Sequence, residues 1–107
     1  MSRLIVLTTP ARAPGYRLAG VETHAVPDVA EAEALISGWL DEGEQALVAV
    51  EEALLAALSH ELLRRLRRSE VLLHVAIPGQ RVGGSARIER LRELMRRGVG
   101  PRLEAGG

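Results

Sequence analysis

Apolar and polar positions follow three rhythms along this chain, and each rhythm predicts a kind of element. In Gln45-Ala46-Leu47-Val48-Ala49-Val50-Glu51-Glu52, five apolar residues run without a polar interruption before a pair of carboxylates. Such a run suits a strand covered on both faces, the inner strand of a mostly parallel sheet. Arg3-Leu4-Ile5-Val6-Leu7-Thr8 has the same character. Val21-Glu22-Thr23-His24-Ala25-Val26 instead alternates, as a half-exposed edge strand does, and Pro27 ends it. Val71 to Ile77 supplies a fourth strand.

Helical spacing fills the intervals. Asp28 is placed to cap a helix that buries Val29, Ala32, Leu35, Ile36, Trp39 and Leu40, with Gly43 as its stop. Leu54, Leu58, Leu62 and Leu66 form an i, i+4 ladder widened by Leu55 and Leu63, which predicts one helix from Glu52 to Arg68. Glu51 and Glu52 at its start and Arg64, Arg65, Arg67 and Arg68 at its end both oppose the helix dipole. Thr9 to Gly15 carries two prolines and reads as a loop, followed by one helical turn over Tyr16 to Ala19 that Gly20 stops. Pro78 to Ser85 reads as a flexible linker. Ser85 is placed to cap a last helix, Ala86 to Arg97, and the tail from Gly98 is expected to fray.

Strands alternating with helices predict an α/β fold. An α/β body over residues 1–77 and a linker with a C-terminal helix over 78–107 are the expected units.

Charge adds an asymmetry. The formal sum is zero, yet residues 1–53 carry three Arg against nine Asp or Glu, and residues 54–107 eleven Arg against five Glu. A chain with net −6 followed by net +6 favours oriented docking on a large partner over general polyanion binding. All 14 basic residues are Arg, so no lysine chemistry is available. Without cysteine there is no disulfide, thiolate nucleophile or Cys-type zinc site. No apolar run approaches membrane-spanning length and no signal-peptide core precedes the first strand, so the cytoplasm is the expected address.

Candidate chemistry is weighed at the carboxyl ends of the strands, where ligands bind in open α/β sheets. A receiver-type phosphoacceptor needs an Asp after the third strand, further acids after the first, and a Lys. Glu51-Glu52 and Thr8-Thr9 stand at those places, and acids favouring a helix N-terminus explain the first pair. A flavin phosphate cradle after Thr8-Thr9 is opposed by Pro10 and Pro14, which lack N–H donors. With the strand order 2-1-3-4, His24 and His74 lie on opposite edges about 14 Å apart, too far to share a metal. His60 falls on a helix surface. The last helix sets Ile88, Leu91, Leu94 and Met95 on one side against a stripe of arginines, and so presents either a solvated face or a partner-docking face. With one Trp and one Tyr in the chain, nucleic acid would find little to stack on.

Gly15-Tyr16-Arg17-Leu18-Ala19-Gly20-Val21, the Ala32-Glu33-Ala34-Leu35 helix and the Ala46-Leu47-Val48-Ala49-Val50-Glu51-Glu52 strand together resemble the F subunit of the prokaryotic V/A-type ATPases and ATP synthases. Arg92-Glu93-Leu94-Met95-Arg96-Arg97-Gly98-Val99-Gly100 is similar to that family's C-terminal helix. The resemblance covers nearly the whole chain and implies a flavodoxin- or receiver-like fold, a four-stranded parallel sheet of order 2-1-3-4 flanked by helices, with a mobile C-terminal helix. It also implies a non-catalytic component of the central stalk, without a cofactor and bound to the D subunit. The C-terminal helix would reach the catalytic A and B subunits of an ion-translocating rotary enzyme at the plasma membrane, with no insertion into the bilayer and no nucleic-acid partner. Partner contacts are expected at Tyr16 and Arg17 and along the last helix at Arg87, Arg90, Arg92, Met95, Arg96 and Arg97. The alternative from fold pattern alone is a stand-alone receiver-like or flavodoxin-like signalling or ligand-binding domain.

Overall fold

Strands Leu4–Thr8 (β1), Glu22–Ala25 (β2), Ala46–Glu51 (β3) and Leu72–Ile77 (β4) form one parallel sheet of order β2-β1-β3-β4. The computed structural model describes residues 3–78 and 84–96. Every residue of β3 is buried, as its unbroken apolar run requires of an inner strand. Val6 stands beside Thr23 on one side and Ala49 on the other, and Ala49 stands beside Val75.

The pleat divides the core in two. Ile5, Leu7, Val48 and Val50 project to one face, under helices Val29–Glu42 (α2), Glu52–Ala57 (α3) and His60–Arg68 (α4). Val6, Leu47, Ala49 and Ile77 project to the other, under helices Ala13–Leu18 (α1) and Gly84–Arg96 (α5). Burying each of the Val, Leu and Ile side chains among these contributes about 1.5–3 kcal/mol.

Caps bear out the ends predicted for α2. The Asp28 carboxylate accepts from the Glu31 N–H at 3.0 Å, and Gly43 takes the left-handed conformation at φ 68°. Three predicted elements differ from what forms, the first being α5, which begins at Gly84 and so contains Ser85, the residue expected to cap it. The helix expected from Glu52 to Arg68 is two helices, because Leu58 and Ser59 are extended and the Ser59 hydroxyl accepts from the Leu62 N–H at 3.3 Å, starting α4 afresh. Leu54, Leu58, Leu62 and Leu66 are buried all the same. The loop expected through Gly15 ends earlier: α1 begins at Ala13 with Pro14 in its first turn, where a missing N–H leaves nothing unsatisfied. The linker at 79–83, Arg97 and the tail beyond it lie outside the described residues.

Candidate functional site

Two places concentrate polar contacts against the sheet. The first is the carboxyl end of β1 and β3, the switch point at which ligands sit in sheets of this order. Thr8 and Glu51 are the last residues of their strands, and alternation turns both side chains toward the α1 face. The Thr8 hydroxyl donates to the Glu51 carboxylate at 2.6 Å, both groups being buried. Arg12, on the turn closed by the Arg12 N–H to the Thr9 carbonyl, brings its guanidinium to 3.5 Å from the other Glu51 oxygen. Hydroxyl and guanidinium thus occupy both carboxylate oxygens, and the arrangement ties the β1–α1 turn to the centre of the sheet. Glu51 is therefore part of the interior and not an exposed acid at a helix end; Glu52 is exposed. Among the described residues no group of three His, Cys, Asp or Glu is placed to hold a metal ion. His24 and His74 stand on opposite edge strands and His60 is exposed.

The second place is the seat of α5. Leu91 is 6% exposed and joins Tyr16, Val21 and Ile77 in the second core, with Met95 packed partly buried against it. One helical turn of spacing carries Leu91 and Met95 onto the same side, and through these two, among the described residues, α5 makes apolar contact with the body. Beside them the Arg92 guanidinium donates to the Gly20 carbonyl at 2.8 Å and stands 3.4 Å from Glu89. Gly20 has φ 80°, and this left-handed turn closes α1. A groove of about 580 Å³ remains between α5 and the start of β1 and β2, lined by Leu4, Val21, Glu22, Arg92, Met95 and Arg96.

A third polar group borders that groove. Arg3 donates to Glu22 at 2.7 and 2.9 Å and to Glu44 at 2.8 Å, fastening the beginnings of β1 and β2 to the turn before β3. The Arg3 hydrogen bonds lower the Glu22 carboxyl from 4.5 to about 2 against the opposing effect of burial, and His24 adds to the lowering. The same pairing raises Arg3.

The residues expected to meet partners are dispersed over this surface. Tyr16 is buried beneath α5, while its neighbour Arg17 is exposed and lines a different groove, between β2 and α2. Arg92 and Met95 face the body; Arg90 and Arg96 are exposed, and Arg96 pairs with Glu93 at 2.9 Å. The Arg87 side chain and all of Arg97 lie outside the described residues. The Thr8–Glu51–Arg12 set and the Gly20 carbonyl have no signature of their own in the sequence. Leu91 is visible there only as one of four apolar residues on a helix side, and Gly20 only as a helix stop.

The profile of the ATP synthase (F/14-kDa) subunits matches residues 4–95, a span from β1 to the last turn of α5. The chain belongs to this family. It is 36% identical over 99 residues to the F subunit of the V-type ATP synthase from one strain of Thermus thermophilus, an alignment covering 91% of this chain and 95% of the relative. The counterpart from a second strain of Thermus thermophilus matches with the same identity and coverage. Kinship thus extends over both the sheet body and α5, and the receiver-like order 2-1-3-4 implied by the resemblance is the one observed. No helix among the described residues is long and apolar enough to cross a membrane.

Proposed function

We propose that this chain is the non-catalytic central-stalk component of an ion-translocating V-type ATP synthase or ATPase, held on the rotor by the D subunit. Its α5 modulates coupling or ATP hydrolysis by reaching the catalytic A and B subunits, from a station peripheral to the cytoplasmic side of the membrane. The observation that carries this reading is the kinship with the F subunits of V-type ATP synthases along nearly the entire chain.

The seat of α5 supports the modulating role on energetic grounds. Among the described residues it includes one buried leucine, one partly buried methionine and one exposed hydrogen bond from Arg92 to Gly20. Burial of one leucine contributes about 1.5–3 kcal/mol and a hydrogen bond about 0.5–1.5 kcal/mol. A partner that offers α5 contacts of similar worth shifts the helix away from the body. Tyr16 then becomes reachable, which reconciles its burial here with a place in a partner-facing segment. Arg90 and Arg96 are exposed for the same encounter. A stand-alone ligand-binding domain finds no support at the switch point, where the chain's own Thr8, Glu51 and Arg12 meet.

Co-expression with the D subunit of the same genome, followed by a sizing column, tests the proposal. A single one-to-one peak is expected. Two separate peaks, each at its free size, would refute it.

A further inference from the structure

We propose that the second half of α4 is a docking surface for an acidic segment of a partner protein. The sequence places Arg64, Arg65, Arg67 and Arg68 within five positions, and the buried Leu62 and Leu66 turn this cluster outward. Arg65 is paired, at 2.8 Å from Asp41 of α2. Arg64, Arg67 and Arg68 are exposed and make no ion pair among the described residues. Arg64 neighbours Arg67 at i, i+3 and Arg68 at i, i+4, where like charges repel and destabilise the free helix. The helix C-terminus favours nearby cations but carries only about half an elementary charge, so it leaves most of this charge uncompensated. Carboxylates presented at matching spacing on a partner helix would relieve the repulsion, and the guanidinium fork binds them in bidentate fashion. Val71, 40% exposed just beyond the helix, offers an adjoining apolar contact.

The dimensions favour a protein over a polyanion. Five helical positions span about 6 Å, too short for the basic track that a phosphate backbone or a lipid surface engages. Exposed Asp41, which pairs with Arg65, and exposed Glu70, two positions after Arg68, border the cluster and repel an extended anion. Both large aromatics, Tyr16 and Trp39, are buried, so no base can stack there. A short acidic segment avoids these obstacles.

The partner is taken to be another component of the V-type complex, so the inference rests on the function proposed above. The full chain and its variant Arg64→Gln/Arg67→Gln/Arg68→Gln are each titrated onto the cognate complex lacking this chain, at rising salt. The wild type is expected to bind with a strong salt dependence, and the triple variant about tenfold more weakly with a flatter dependence. Arg65→Gln, which removes the paired arginine of the same helix, is expected to bind as the wild type does, separating the docking effect from damage to α4. Equal affinity and salt slope for the wild type and the triple variant overturn the inference while leaving the proposed function in place. No binding by the wild type overturns both. Tighter binding of the wild type to single-stranded RNA or phosphatidylglycerol vesicles than to the complex overturns the protein occupant.

Discussion

Arg92 reaches across 72 positions of sequence to place its guanidinium 2.8 Å from the carbonyl oxygen of Gly20. That carbonyl belongs to the left-handed turn closing α1, so the end of the first helix is the anchor of the last. The bond is exposed and stands beside the buried Leu91, and with Met95 these two contacts seat α5 among the described residues.

Removing either contact loosens α5 before it loosens the sheet. Arg92→Gln is expected to lower global stability by less than about 1 kcal/mol. Leu91→Ala is expected to speed amide exchange throughout α5 by a larger factor, since a core leucine truncation costs about 2–5 kcal/mol and here falls on the helix it seats. Native-state hydrogen exchange resolved by residue checks both. Uniform acceleration across β1, β3 and α5 would mean that α5 is an integral part of the folding unit.

Gly20→Ala tests the anchor from the other side. A Cβ built there meets nothing closer than the Arg92 guanidinium at 3.8 Å, so space is adequate and the penalty comes from φ 80° alone. A loss of about 1–2 kcal/mol in urea unfolding is expected.

At the switch point, Thr8→Val strips the buried Glu51 carboxylate of its hydroxyl donor while keeping the side-chain shape. A loss of about 1–3 kcal/mol is expected, because the acceptor remains buried. Thr8→Ser should retain most of the stability. Combining Thr8→Val with Glu51→Leu should lose less than the two single changes added together, the mark of a direct pair. Chemical denaturation of the four variants decides the matter.

The ion cluster at the start of the sheet gives stability a pH dependence. Glu22 is lowered in the folded chain from 4.5 to about 2, chiefly by the hydrogen bonds from Arg3. A carboxyl lowered on folding contributes stability that is present above its unfolded value and lost as pH falls toward its folded one. The stability difference between wild type and Glu22→Gln should therefore be constant above pH 4.5 and shrink as pH falls to about 2. Partial exposure keeps the whole effect near or below about 1 kcal/mol. Urea midpoints measured across that window check the sign.

Ser59→Ala addresses the break between α3 and α4. Loss of this cap is expected to cost about 0.5–2 kcal/mol in the same urea assay.

That break illustrates what the sequence conceals. The sheet is legible because Ala46–Val50 and Leu4–Leu7 are unbroken apolar runs, and α2 because Asp28 and Gly43 mark its ends. The leucines from 54 to 66 keep one helical period straight through Ser59, so periodicity registers a single helix, although Ser59 three places before Leu62 is a readable cap. Glu51 resembles a dipole-complementing acid because its burial depends on β3 running one residue further than its apolar stretch. Arg92 is one arginine in a stripe: its partner is a backbone carbonyl, which no side-chain pattern encodes.

The most direct measurement is the ATPase rate of the cognate V-type complex reconstituted without this chain, with the wild type, and with Leu91→Ala/Arg92→Gln. If α5 acts by leaving its seat, the variant will incorporate as well as the wild type and shift the rate beyond the wild-type value in the direction that adding the wild type does. An unchanged rate with full incorporation would contradict a modulating α5.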